Sequence, residues 1–300
     1  MRGRRYWRNL GLTLLAAMVV GTLVIAVFVV ALTIYLAPRT LEPKRVATVR
    51  SPAEVGITDW KDVAFTASDS VTLRGWYVPP QNGAVVIMAH GYGGNRDDLL
   101  PEAGLLAAEG YGALLFDFRA HGSSDNVQST VGDHERSDLR AALDFVAEQP
   151  GVAPDCTGAI GFSMGGATLA LVAAEDERLS AVVVEAAFAT LEDVIDDSAG
   201  LLGPLTRLPA RWAIQHDGVD VDAVRPVDAL CNISPRPLLL IYGDQDGVIP
   251  PGTASRMFEA ACPPAETWLI PGAGHENLTN VLPEEYPARL LAFFQQNLCL

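Results

Sequence analysis

Gly161-Phe162-Ser163-Met164-Gly165, followed by Gly166, sets a serine between glycines where an apolar run meets a small-residue helix. A sharp strand-to-helix turn of this kind holds the hydroxyl exposed, and glycines are needed where side chains would strike neighbouring backbone. The helix that follows aims its free amide groups at the same point. Alone, the pentapeptide could be an ordinary turn. Its flanks, AIGFSMGGATLALVAA, make Ser163 the candidate nucleophile. Gly272-Ala273-Gly274-His275-Glu276 supplies a histidine in a glycine-flanked loop, free to swing towards a serine. Of the other histidines, His90 and His121 sit in loops before the serine, His134 begins a helix, and His216 lies in an irregular stretch. His275 is therefore the candidate general base. Tyr242-Gly243-Asp244-Gln245-Asp246-Gly247 offers two carboxylates. Asp246, farther into the loop, is the candidate to accept from the imidazole and fix its tautomer. Asp244 is expected to shape the turn through its own backbone, and Glu185 is a more distant alternative. His90-Gly91-Tyr92-Gly93-Gly94 follows the run AVVIMA, so its backbone can aim an N–H at a developing oxyanion. Tyr92 is the expected donor there, with Met164, next to the serine, as its partner. His90 itself reads as a loop-holding residue. These groups suit a two-step acyl transfer through an acyl-enzyme, which needs no metal or organic cofactor.

Elements must bring these residues together. Val63–Thr66 and Val71–Val78 read as two strands around a Ser-Asp-Ser turn. Ala84–Ala89, Ala113–Phe116, Thr157–Gly161, Val182–Val184, Leu238–Tyr242 and Thr267–Ile270 are short continuous apolar runs. Helical spacing separates them over Asp98–Glu109, Ser137–Glu148 and Gly165–Ala174, and closes the chain over Ala288–Leu298. Such alternation predicts an α/β fold with a mostly parallel sheet covered on both faces. Active sites of these sheets lie at the carboxyl ends of the strands, and every candidate above falls just after an apolar run. Residues 189–236 break the rhythm. They hold Leu201, Leu202, Leu205, Leu208, Trp212 and Ile214, interrupted by Pro204 and Pro209. They read either as a long crossover or as a small helical lid.

Leu10 to Ala37 contains no charged residue over 28 positions. As a helix this is about 42 Å, longer than the ~30 Å hydrocarbon core, so one tilted transmembrane span fits. A secretory signal has a shorter apolar region and a small-residue cleavage site. Residues 1–37 are thus expected to form an arginine cluster and membrane anchor, 38–60 a linker, and 61–300 the catalytic domain. Arg2, Arg4, Arg5 and Arg8 precede the span, while Arg39, Lys44, Arg45 and Arg50 follow it. The compact leading cluster favours a catalytic domain outside the cytoplasm. The formal net charge is −15, and from residue 38 onward 17 basic residues face 36 acidic ones. That excess repels phosphate backbones, and no basic run supports nucleic-acid binding. No protein partner is expected. Cys156, Cys231, Cys262 and Cys299 form no Cys-x-x-Cys pair, which gives no sign of a zinc ribbon or a thioredoxin-like site. Cys231 and Cys262 both precede strands expected to be neighbours, so a disulfide between them and four unpaired thiols both remain open.

From about Val63 to the C-terminus the chain resembles the α/β-hydrolase superfamily, in the branch with serine aminopeptidase-like and dienelactone-hydrolase-like members. The order Ser163, Asp246, His275 is that of this superfamily and not of the chymotrypsin or subtilisin arrangements. Phe116-Asp117-Phe118-Arg119-Ala120-His121-Gly122-Ser123-Ser124 is similar to the branch's D-x-R-G-x-G-x-S stretch, with Ala120 in place of the usual glycine. Membrane-tethered relatives with one N-terminal anchor also look similar. The resemblance implies an eight-stranded, mainly parallel sheet with the two early strands antiparallel. It implies a serine hydrolase and leaves the substrate open. The anchor and the leucine-rich stretch favour a carboxylic ester or thioester with an apolar, lipid-like acyl group. Amide or peptide hydrolysis, a hydrolase-fold binding protein without activity, and an acyltransferase that excludes water are the alternatives.

Overall fold

The structure is a computed structural model that describes residues 2–299, with side chains from residue 5 on. Met1 and Leu300, the ends of the expected anchor and catalytic segments, lie outside the described residues, as do the side chains of Arg2 and Arg4. The chain divides into two compact units: the residues up to Thr40 with Ile195–Gly218, and Leu41–Val194 with Val219–Leu300.

The larger unit is built on eight strands: β1 (Lys61–Thr66), β2 (Thr72–Val78), β3 (Val85–Ala89), β4 (Gly112–Asp117), β5 (Thr157–Phe162), β6 (Leu179–Glu185), β7 (Leu238–Gly243) and β8 (Glu266–Ile270). They form one sheet in the order β1-β2-β4-β3-β5-β6-β7-β8. β2 pairs antiparallel with β1 and with β4, and every later pairing is parallel. Burial explains the composition. β3, β4 and β7 are buried at every position and read as unbroken apolar runs, as strands covered on both faces must. β1, at one edge, alternates exposed and half-buried residues.

The helices, in chain order, are α1 (Arg2–Leu36), α2 (Leu100–Ala108), α3 (Glu135–Ala147), α4 (Met164–Glu175), α5 (Leu191–Ala199), α6 (Pro204–His216), α7 (Pro226–Ala229), α8 (Thr253–Ala260), α9 (Leu278–Val281) and α10 (Glu285–Asn297). Val86, Met88, Leu115, Ile160, Val183 and Ile241 form one core cluster with Leu100 and Leu106 of α2 and Leu290 and Phe294 of α10. The alternate residues of those strands, such as Ile87, Leu114, Ala159 and Val182, are equally buried and point the other way. α3 and α4 pack against each other and the sheet there.

Register fixes where the functional loops emerge. Ala89 pairs with Gly161, Gly161 with Val184, Val184 with Leu240, and Leu240 with Thr267. These five of the six parallel strands therefore run in step, and the loops after β3, β5, β7 and β8 leave from one rim. Residues 45–50 are tied to the sheet-containing unit. The Arg45 guanidinium donates to the carbonyls of Gly122 and Ser124, and the amides of Val49 and Arg50 donate to Asp97. Two disulfides join Cys231 to Cys262 and Cys156 to Cys299.

In the smaller unit α1 is long and apolar enough to cross a bilayer, and α6 packs against it. Of residues 189–236, only Ile195–Gly218 belong to this unit; the remainder stays with the sheet.

Candidate active site

β5 ends at Phe162 and α4 begins at Met164, so Ser163 alone makes the turn, with φ 52° and ψ −116°. A non-glycine residue at positive φ is strained. It is held because its amide donates to the Glu185 carbonyl at 2.8 Å and its carbonyl accepts from Ala167. The flanking glycines are steric necessities. A Cβ on Gly161 would lie 2.5 Å from the Gly165 carbonyl oxygen, and one on Gly165 would lie 2.5 Å from that of His90 and closer still to that of Ala89.

The loops after β7 and β8 complete the arrangement. His275 Nε2 lies 3.0 Å from Ser163 Oγ, and His275 Nδ1 lies 2.7 Å from Asp246 Oδ2. The other carboxylate oxygen of Asp246 accepts the amides of Val248 at 2.8 Å and Ile249 at 3.2 Å. Burial works to raise the Asp246 pKa, but the bonds from His275 and these two amides prevail and hold it below the ordinary value. An ionised Asp246 takes Nδ1–H, which leaves Nε2 as the acceptor facing the serine hydroxyl. Asp244 does other work: its Oδ1 accepts the Gly272 amide at 2.6 Å, tying the two loops together. Asn277 accepts the Gly274 amide at 2.7 Å and sets the turn before His275. Phe162 tilts its ring against the imidazole, centroids 4.9 Å apart.

Tyr92 sits in the loop after β3 and lines the same cleft as His275, while Met164 is the first residue of α4. Two histidines pin the Tyr92 loop. His90 Nδ1 donates to the Gly91 carbonyl and its Nε2 accepts the Phe118 amide. Complete burial, with His121 nearby, pushes its pKa down to about 3, so it stays neutral. His121 Nδ1 donates to the Arg119 carbonyl, and its Nε2 accepts the Gly93 amide at 3.0 Å. Sequence reasoning placed His121 only in a loop; its partner lies 28 residues away, and no local signal connects them. The surrounding stretch is held by Arg119, which is buried and donates to Asp138 and Asp69. Ala120, where a glycine is usual, takes φ 64°, the left-handed conformation glycine adopts without strain.

A cleft of about 490 Å³ opens beside His275. Val46, Leu99, Phe162 and Leu278 give it apolar wall, and Asp98, Glu102, Glu185 and Glu276 bring carboxyls to it. Sequence reasoning missed Val46, which lay in the expected linker, and Glu102. Burial pushes the Glu185 carboxyl up to about 8, with the nearby Glu102 adding to the effect and the Tyr286 hydroxyl, which donates to it, opposing. Among the described residues no cluster of His, Cys, Asp and Glu is arranged to hold a metal ion.

A serine on a strand-to-helix elbow, at the carboxyl rim of an eight-stranded and mostly parallel sheet, defines an α/β-hydrolase. Within that class the chain belongs to the prolyl oligopeptidase family, whose profile matches residues 101–299. It is 29% identical over 261 residues to YfhR of Escherichia coli strain K12, covering 83% of this chain and 84% of that one. Over 147 residues, 46% of each chain, it is 31% identical to the thiohydrolase aneE of Aspergillus aculeatus. Among solved structures it resembles the Pyrococcus furiosus esterase Pf2001, with a TM-score of 0.72 and 28% identity over 85% of this chain and 99% of that one. The chain is thus an esterase-type hydrolase of the α/β-hydrolase superfamily.

Proposed function

We propose that this protein is a membrane-anchored serine hydrolase that cleaves a carboxylic ester or thioester with an apolar acyl group. The observation that carries the proposal is the continuous hydrogen-bonded path Ser163–His275–Asp246, at 3.0 Å and 2.7 Å. His275 Nε2 takes the hydroxyl proton as Ser163 Oγ attacks the carbonyl carbon. The oxyanion is received by the amides of Tyr92 and Met164, each such donor lowering the barrier by about 3 kcal/mol. The protonated His275 gives its proton to the leaving alcohol or thiol as the acyl bond to it breaks. Water, deprotonated by His275, then releases the acid and restores the serine.

The apolar acyl group is supported by the cleft wall of Val46, Leu99, Phe162 and Leu278 and by the esterase and thiohydrolase among the relatives. The anchor reading rests on α1, apolar and exposed over most of its length. A catalytic unit outside the cytoplasm is supported by the leading arginines and by two disulfides, which persist in oxidising compartments. One observation favours a second reading, aminopeptidase-like amide hydrolysis. The carboxyls of Asp98 and Glu276 along the cleft would suit a substrate amine, in line with the family's peptidase name.

A panel of p-nitrophenyl esters of increasing acyl length, set against aminoacyl p-nitroanilides, separates the two with the full-length protein in detergent. The ester reading expects kcat/KM to rise with chain length and to exceed that for every anilide. Faster turnover of the anilides would overturn it in favour of the amide.

A further inference from the structure

Helix α6 is apolar on two faces. Ala210, Ala213 and Ile214 are buried. Leu205, Leu208 and Trp212, at intervals of three and four and hence on one helical face, are exposed, as are Leu201 and Leu202 just before the helix. The exposure is extensive: 93% for Leu201, 59% for Leu208 and 54% for Trp212. A helix in water turns one apolar stripe to the core and keeps the other face polar. A second, exposed set of leucine and tryptophan marks a surface that meets something apolar.

The neighbour of α6 indicates what that is. α6 packs against α1 inside the same compact unit. α1 is exposed at every position from Leu10 to Ile25, and half-buried at Ala26, Val29, Val30, Thr33 and Ile34. Those five positions form one helical stripe confined to its last three turns. The uncharged stretch from Leu10 to Ala37, about 42 Å as a helix, outruns a ~30 Å hydrocarbon core by roughly eight residues. Because α6 packs against α1, we assign that excess to the end of α1 that carries the half-buried stripe, which then emerges at a membrane interface. Tryptophan is favoured at that level, and a helix with an apolar outer face lies in it.

We propose that Leu201, Leu202, Leu205, Leu208 and Trp212 are seated in the phospholipid leaflet from which α1 emerges, so that the protein holds the bilayer at two places. This rests on the reading of α1 as a membrane span. The partner is the acyl region of a phospholipid surface and not another protein.

The test uses the full-length protein reconstituted into phosphatidylcholine–phosphatidylethanolamine vesicles. All four native cysteines are in disulfides, so a nitroxide reports only from an introduced thiol. Leu205→Cys and Leu208→Cys probe the patch, Val19→Cys probes the anchor, and Glu148→Cys, exposed on the sheet-containing unit, gives the aqueous reference. The proposal expects the labels at 205 and 208 to collide with oxygen in preference to a water-soluble nickel chelate, severalfold more than the label at 148. Water-exposed labels at 205 and 208 with a lipid-buried label at 19 overturn the patch alone and leave the anchor standing. Water-exposed labels at all three positions overturn both. Dipolar broadening between labels at 205, with exclusion of both oxygen and nickel, would make the face a contact between two copies and equally overturn it.

Discussion

Replacing Asp246 by asparagine changes one atom and, by the geometry, the tautomer of His275. The two sides of the Asp246 carboxylate are not equivalent. Oδ1 accepts from two amides, Val248 at 2.8 Å and Ile249 at 3.2 Å, while Oδ2 accepts from His275 at 2.7 Å. An asparagine in this place must turn its oxygen to the two amide donors, because its NH2 there would set donor against donor. The NH2 then faces His275 Nδ1, which can answer only as an acceptor. The ring proton moves to Nε2, where it points at Ser163 Oγ, 3.0 Å away, and the imidazole no longer takes the hydroxyl proton. A serine enzyme with this tautomer error loses about 10⁴ in kcat, or ~5.5 kcal/mol of barrier. KM should stay near that of the wild type, because no cleft contact has changed. Steady-state hydrolysis of a short p-nitrophenyl ester by the full-length protein reads both constants. Asp244→Asn is the matched control: its oxygen still accepts from Gly272, and activity should stay within a fewfold of wild type. An Asp246→Asn enzyme within tenfold of the wild-type kcat, or a larger loss at Asp244, would refute the assignment.

Buried Glu185 holds its proton up to about pH 8 in the folded chain, whereas the unfolded chain releases it in the ordinary glutamate range. The folded state then binds the extra proton, so stability falls as pH rises through that window. Glu185→Gln cannot ionise; its melting temperature relative to wild type should climb from pH 5 to pH 8, and a pH-independent difference would show that Glu185 is not the group responsible. Gly165→Ala should cost at least about 1–3 kcal/mol and most of the activity, because the added methyl meets the backbone carbonyls of Ala89 and His90 rather than a yielding side chain. A melting temperature equal to wild type would contradict the tight elbow.

Legibility in the sequence tracks locality. β3, β4 and β7 are covered on both faces, so they read as unbroken apolar runs. The apolar pattern predicts β6 from Val182, but the strand begins at Leu179, because Ser180 interrupts the run; its hydroxyl is spent on the Asp155 carbonyl. Helical spacing predicts α3 from Ser137, but the helix starts at Glu135, a buried acid that looks like surface. Its carboxylate accepts the amides of Thr130 and Gly132 and the hydroxyls of Ser129 and Thr130. The candidate site residues are legible because each lies in a loop or turn that follows an apolar run, and the run order fixes which loops share a rim. What stays hidden is long-range. The Cys156–Cys299 bond joins residues 143 apart, the His121–Gly93 contact joins two loops, and Val46 reaches the cleft from a segment with no periodicity. The leucines of 201–208 are visible, yet nothing near them in the chain points to α1, more than 160 residues earlier, as the helix α6 packs against.

The central claim is that Ser163 is the nucleophile. A fluorophosphonate added to the full-length protein should raise its mass by one adduct, carried on the peptide containing Ser163, and Ser163→Ala should abolish the reaction while keeping the wild-type melting temperature. An adduct that persists in a folded Ser163→Ala protein, or that maps to another residue, would contradict the account.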